Sequence, residues 1–208
     1  AILASAAVAG SGSIARNAYA AGSDIIKVGM IGCGGRCTGA AAEALTADPG
    51  ARLVAMCDIL DVRIKTKRER LKQQFKDQVM VDDDHCFPGF DGYKQVIESS
   101  DVVLIANAAK FHPFHALQAL KAGKHVFVEK PFTASSAQAE DLIELAETKK
   151  LKIMVDHTFL FTGAVRKIKQ LIEAKELGKI FYYDSIRVNL GLFQHDVNVV
   201  WDLAPHDF

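Results

Sequence analysis

The sequence has no excess of charge of either sign: 25 lysines and arginines balance 25 aspartates and glutamates over 208 residues. No global field therefore draws the chain toward nucleic acid or an anionic membrane surface. It also lacks any uninterrupted apolar run of about eighteen residues, the length a membrane-crossing helix needs. Cysteine is scarce, and Cys33, Cys37, Cys57 and Cys86 lack the paired short spacings of a zinc site, so small buried thiols are expected. The one dense group of candidate ligands, Asp82, Asp83, Asp84, His85 and Cys86, is consecutive in sequence. Consecutive residues rarely converge on one ion, which favours a solvated loop and no metal. The basic run from Lys65 to Arg70 reads as the solvated face of a helix.

What is present is a globular composition, 50% hydrophobic and 24% charged, and one organising stretch, KVGMIGCGGRCTGAAA from Lys27 to Ala42. Val28, Met30 and Ile31 make a short buried-strand pattern; Gly32, Gly34 and Gly35 break it before an alanine-rich helix. Such a turn lets a pyrophosphate approach the backbone and aims helix-terminal amides at it, or else it is an ordinary strand-to-helix turn rich in glycine. Asp58 follows the next apolar strand, Arg52 to Cys57, at roughly the separation at which a carboxylate receives the ribose hydroxyls of a dinucleotide. Its charge would repel a 2'-phosphate, favouring NAD over NADP. Asp58 also suits an N-cap of the following helix, and the two roles are compatible.

Strand and helix patterns then alternate. Helices are expected around Leu60 to Phe75, Asp91 to Glu98, His112 to Ala122 with Gly123 closing it, and Ser135 to Lys149. Strands are expected at Gln78 to Val81, Val102 to Ala106, Lys124 to Val128 and Leu151 to Val155. Six strands separated by helices imply an α/β fold with a doubly wound parallel (Rossmann) sheet. Beyond His157 the rhythm changes to a helix over Gly163 to Ala174, with Val165, Ile168, Leu171 and Ile172 inward. A longer strand from Ile180 to Leu190 carries Phe181, Tyr183, Ile186 and Val188 and suggests the start of an α+β substrate domain. The expected organisation is an arm over 1–23, a dinucleotide-binding domain over 24–158 and the incomplete start of a second domain over 159–208. The arm, ending in Ala18-Tyr19-Ala20, reads either as the tail of an export signal or as a flexible arm, so a cytoplasmic or an exported chain is equally compatible with it.

Ligands of such sheets sit outside the carboxyl ends of the strands. Lys130, His157 and the segment Trp201-Asp202-Leu203-Ala204-Pro205-His206 arrive there. Lys130 precedes Pro131 and is rigidly placed, and Asp202 and His206, four apart, place a carboxylate beside an imidazole on a helical turn. A surface lysine and a helix-start pair are the plainer alternatives.

The motifs VGMIGCGGRC, ALKAGKHVFVEKPF, DHTFLFTGAVRKIKQLIEAKELGKI and WDLAPHD resemble the glucose-fructose oxidoreductase, inositol dehydrogenase and MocA-like family (Gfo/Idh/MocA), over about Asp24 to Phe208. The resemblance implies a dehydrogenase acting with NAD on a secondary hydroxyl of a sugar, cyclitol or sugar nucleotide. It implies that Gly32, Gly34, Gly35, Arg36, Asp58, Asn107, His112, Glu129 and Lys130 lie along the cofactor. Lys130 would hydrogen-bond the reacting hydroxyl, His206 would take its proton and Asp202 would orient His206, with His157 a lesser substrate contact. Full-length members of the family are expected to be homo-oligomers. Two departures stand out. Cys37 replaces the third glycine of the motif, so a Cys37→Gly change is expected to tighten cofactor binding. The chain also stops two residues after His206, which makes a truncated dinucleotide-binding fragment without independent catalysis the competing expectation.

Overall fold

A computed structural model describes residues 25–186 and 197–207 of the chain. Six parallel strands form one sheet: β1 (Ile26–Ile31), β2 (Ala51–Asp58), β3 (Cys86–Pro88), β4 (Val102–Ile105), β5 (His125–Val128) and β6 (Ile153–Val155). Their spatial order is β3-β2-β1-β4-β5-β6. The order reverses at β1 and β4, so right-handed crossovers place helices on opposite faces and leave a crevice between the two strand ends.

One face carries α1 (Gly35–Ala47) and α2 (Asp61–Phe75). There Cys37, Ala41, Leu45, Ile64 and Leu71 pack with Val28, Met30, Leu53 and Met56 of the strands. The other face carries α3 (Gly92–Ser99), α4 (His112–Lys121) and α5 (Ser136–Thr148). Val96, Ile97, Ala116, Ala119, Leu120, Leu142 and Ala146 meet Ile31, Ala55, Val103 and Ile105 there. Strands covered on both faces need no polar alternation, which is why β4 reads VVLI. Met30, Leu53 and Ile105 are fully buried, each worth on the order of 1.5–3 kcal/mol over an exposed position. Ser135 caps α5 by accepting from the Gln138 amide at 3.3 Å. Gly123, at φ +78°, closes the turn after α4 as the sequence indicates.

The third strand is not where the apolar pattern puts it. Val79 and Val81 are buried, but among the described residues the segment Gln78 to Val81 makes only an isolated bridge, Leu53 to Val79. Ladder pairing resumes at Cys86 to Pro88, in register with Met56 to Asp58. β3 is an edge strand, and a proline, which has no amide to donate, is tolerated there.

Beyond β6 the described chain contains α6 (Gly163–Glu173) and α7 (Val199–Leu203). The expected inward face of α6 is not covered by the described residues, since Ile168 and Ile172 remain 48% and 44% exposed. Residues 180–186 form no strand, and Phe181, Tyr183 and Ile186 are exposed. The remainder of the expected strand, including Val188, and the N-terminal arm lie outside the described residues. No helix among the described residues is long and apolar enough to cross a membrane.

Candidate active site

The loop after β1 is fixed by main-chain geometry. Gly32 has φ +95°, and a Cβ there would lie 3.0 Å from the Asn107 Cβ and 3.1 Å from its backbone. Its amide donates to the Cys57 carbonyl at 2.8 Å. Gly34 is the N-cap of α1 without a side-chain cap, and the space its Cβ would occupy is open to 4 Å. The first-turn amides of α1 have no intrahelical acceptor and carry the positive end of the helix dipole into that space. Asp58 braces the same loop: its Oδ2 accepts from the Cys33 amide at 2.8 Å and its Oδ1 from the Leu60 amide at 3.0 Å. The N-cap of α2 is Leu60, so Asp58 makes a local turn two residues before that cap rather than being the cap itself.

Cys37 lies on the core face of α1, fully buried, with its Sγ 3.7 Å from the Leu104 carbonyl. The thiol thus fits between helix and strand. Burial pushes the Cys33 and Cys37 thiols far up and the Cys57 thiol to about 12, so none is a thiolate nucleophile at neutral pH. Asp82 and Asp83 are held by other side chains, with His85 Nδ1 2.6 Å from Asp82 and Arg68 Nη1 2.6 Å from Asp83.

Along the carboxyl edge of the sheet, two adjoining cavities meet at Ala106 and Asn107. The larger, about 560 Å³, is lined by Gly32, Gly34, Asp58, Arg63 and Asn107, with Phe90, Tyr93, Phe111 and Phe114 as an apolar wall. Its volume lies in the range of small-molecule sites. The smaller, about 390 Å³, is lined by Arg36, Asn107, His112, Glu129, Lys130, Thr158, Phe159, Asp202 and His206, among others. Ala106 and Asn107 belong to both. Asn107 Nδ2 lies 3.0 Å from His115 Nδ1, and its Oδ1 is buried with no hydrogen-bond partner among the described residues.

In the smaller cavity Lys130 Nζ sits 2.5 Å from Asp202 Oδ1 and 3.1 Å from the Asp202 carbonyl oxygen. The Trp201 indole N–H donates to the Thr133 carbonyl at 2.8 Å, which also ties this late segment to the loop after β5. The Lys130–Pro131 peptide is cis. Asp202 has a partner that the sequence pattern does not indicate. It lies in α7, His206 lies in a separate 3-10 turn over Ala204–His206, and the carboxylate is held by Lys130. The His206 ring packs on Phe159 with centroids 4.7 Å apart.

Arg36 and Glu129 face each other, Nε to Oε1 at 2.5 Å, and Arg36 also reaches Asp156 at 3.4 Å. Burial pushes the Glu129 carboxyl up, and the Arg36 guanidinium pulls it partly back. The His112 ring is buried between two strand ends, with Nδ1 2.8 Å from the Pro131 carbonyl and Nε2 3.1 Å from the Asn107 carbonyl. Gly35 and His157 line neither cavity. The adjacent Thr158 and Phe159 line the smaller one instead, because His157 precedes the 3-10 turn over Thr158–Phe161 that carries them inward. Sequence reasoning passed over His115. Its spacing of three from His112, on one helix face, is the signal that could have found it.

A family model described as "Oxidoreductase family, NAD-binding Rossmann fold" matches residues 26–157. The chain is 29% identical over 157 residues to a dTDP-3,4-didehydro-2,6-dideoxy-alpha-D-glucose 3-reductase of Actinomadura kijaniata, covering 74% of this chain and 43% of that protein. It is 26% identical over 181 residues to a glycosyl hydrolase family 109 protein of Phocaeicola vulgatus, covering 86% of this chain and 33% of the relative. Among solved structures it resembles a 3-ketoreductase from Actinomadura kijaniata in complex with TDP-benzene and NADP, at TM-score 0.60 and 28% identity, over 75% of this chain and 46% of that one. The chain therefore spans less than half the length of these relatives.

Proposed function

The chain belongs to the Gfo/Idh/MocA oxidoreductase family, and from that premise we propose that it serves an NAD-dependent oxidation or reduction at a secondary hydroxyl of a sugar, cyclitol or sugar nucleotide. The residues of the larger cavity suit a dinucleotide: open space over Gly34 at a helix N-terminus, an acid at the end of β2 and, at Asn107, a buried acceptor with no partner among the described residues. The pyrophosphate belongs over Gly32, Gly34 and Gly35, and the ribose hydroxyls belong to Asp58, whose charge disfavours a 2'-phosphate. Arg36, Asn107, His112 and Glu129 frame the passage to the smaller cavity. When bound, the nicotinamide supplies the hydride acceptor or donor.

Within the smaller cavity Lys130 donates to the oxygen of the reacting hydroxyl, and His206 takes or returns its proton. Asp202 holds the Lys130 ammonium in place. The observation that carries this reading is the 2.5 Å Lys130–Asp202 pair in a cavity that shares Ala106 and Asn107 with the dinucleotide cavity. In this scheme residues 24–158 bind the cofactor and 159–208 contribute to the substrate side.

A second reading is cleavage of a glycoside without net oxidation, supported by the family 109 hydrolase matching a longer stretch of this chain than the reductase does. Binding of the cofactor without independent turnover is a third, supported by the apolar face of α6 that the described residues leave uncovered. One experiment separates the three: NADH titration combined with a turnover screen over sugars, inositols, nucleotide sugars and chromogenic glycosides. Substrate-dependent change in cofactor absorbance supports the dehydrogenase. Chromogen release without net cofactor change supports the hydrolase and its absence removes it, binding alone supports the third, and absence of cofactor binding removes the first and third.

A further inference from the structure

We infer that His115 is a positioning residue that fixes the orientation of the Asn107 carboxamide at the junction of the two cavities, and so sets which atom of Asn107 meets a bound dinucleotide. This rests on the reading above, in which Asn107 lies along the cofactor.

Asn107 follows β4 at the point where the strand order reverses, and it is held twice from the first turn of α4. His112 sits 3.1 Å from its carbonyl oxygen, and His115 Nδ1 sits 3.0 Å from its Nδ2. The two imidazoles are three residues apart and so lie on one face of the helix. His115 is itself only 7% exposed and is wedged among aromatic rings, 4.8 Å from Tyr93, 5.4 Å from Phe114 and 6.0 Å from Phe111. Burial first, and the nearby His112 second, lower its pKa to about 4. With the ring neutral and its one proton on Nε2, Nδ1 is the acceptor that selects the amide end of Asn107. The Oδ1 is thereby left as the remaining acceptor, buried and with no hydrogen-bond partner among the described residues, on a residue that lines both cavities. Gly32 leaves room for Asn107, since a Cβ there would lie 3.0 Å from the Asn107 Cβ.

The test is a double-mutant cycle on NADH affinity, measured by fluorescence titration of the full chain with thermal midpoints taken alongside. His115→Phe keeps the ring among its aromatic neighbours and removes the acceptor, and it is expected to weaken NADH binding about three- to tenfold, the worth of one hydrogen bond. In an Asn107→Ala background the same change should have no further effect, because the group it positions is gone. His115→Asn, whose Oδ1 takes the place of Nδ1, should restore affinity to within about twofold of wild type. Equal losses in both backgrounds, or no loss on His115→Phe while Asn107→Ala weakens binding, would overturn the positioning role. If Asn107→Ala leaves NADH affinity unchanged, the placement of Asn107 along the cofactor fails instead, and the role of His115 falls with it. His115→Leu makes the same comparison should the phenylalanine variant not fold.

Discussion

Along the carboxyl edge of the sheet, Asp58 on the side near β2 is held by main-chain amides, whereas Lys130 and Arg36 on the side near β5 and β6 are paired with the carboxylates of other side chains. Asp58 is fixed by two backbone amides, and the loop that it braces turns on a glycine at φ +95°. Lys130 is fixed by Asp202, 72 positions away in sequence, and Arg36 by Glu129. Main-chain positions follow from strand pairing and from a core that includes fully buried Met30, Leu53 and Met56. Side-chain pairs instead require two separate segments to arrive together. The first side should therefore be sensitive to backbone change and the second to loss of single functional groups.

The largest expected effect falls on the second side. His206→Ala should lower turnover by about 10² to 10⁴, the usual worth of a positioned acid–base group, with NADH affinity within about twofold of wild type. Steady-state kinetics and titration on the same preparation check the pair. A parallel loss of cofactor affinity would show that the two sides are not separable.

His115, on the first side, gives a pH-dependent effect. It titrates at about 4 in the fold against 6.5 ordinarily. Between those values the unfolded chain holds a proton that the folded chain does not, so stability is retained above about 6.5 and lost as pH falls toward 4. The loss reaches at most about 3 kcal/mol. The raised carboxyl of Glu129 works in the opposite sense, so the difference between wild type and His115→Phe in denaturant unfolding, followed from pH 7 to about pH 4.5, isolates the histidine. Identical pH slopes would contradict the assignment.

Gly32→Ala should cost about 1–3 kcal/mol, because it combines a left-handed backbone with close approach to Asn107, and it should weaken NADH binding together with stability. The smallest effect concerns Cys37. The sequence comparison with the glycine motif favours tighter cofactor binding in Cys37→Gly. The buried thiol instead packs on the core side of α1. The change is now expected to cost about 1 kcal/mol from helix propensity and lost packing and to leave NADH affinity unchanged within about twofold. Thermal unfolding and titration of this variant decide between the two expectations.

The parallel sheet was legible because strands buried on both faces leave continuous apolar runs such as VVLI, and because glycine marks the turns that need it, at Gly32 and Gly123. The third strand was not. Val79 and Val81 are as apolar as a strand requires and are buried, but burial under α2 does not demand ladder pairing, and the paired residues Cys86 to Pro88 end in a proline that only an edge strand accepts. For the site, the sequence pattern carries candidate residues but not their side-chain partners. Asp202 and His206 are four apart in sequence, but the helix ends at Leu203, and the partner of Asp202 comes from the end of β5. His115 went unnoticed since its meaning depends on Asn107, which reaches it only when β4 and α4 are folded together.

The most direct test of the cofactor edge is a fluorescence titration of the chain with NADH, run on wild type and Gly32→Ala and repeated with NADPH. The account predicts saturable binding of NADH by wild type, weaker binding of NADPH because of Asp58, and a loss of at least about tenfold in Gly32→Ala. Absence of saturable binding by wild type, or NADH affinity indifferent to Gly32→Ala, would contradict it.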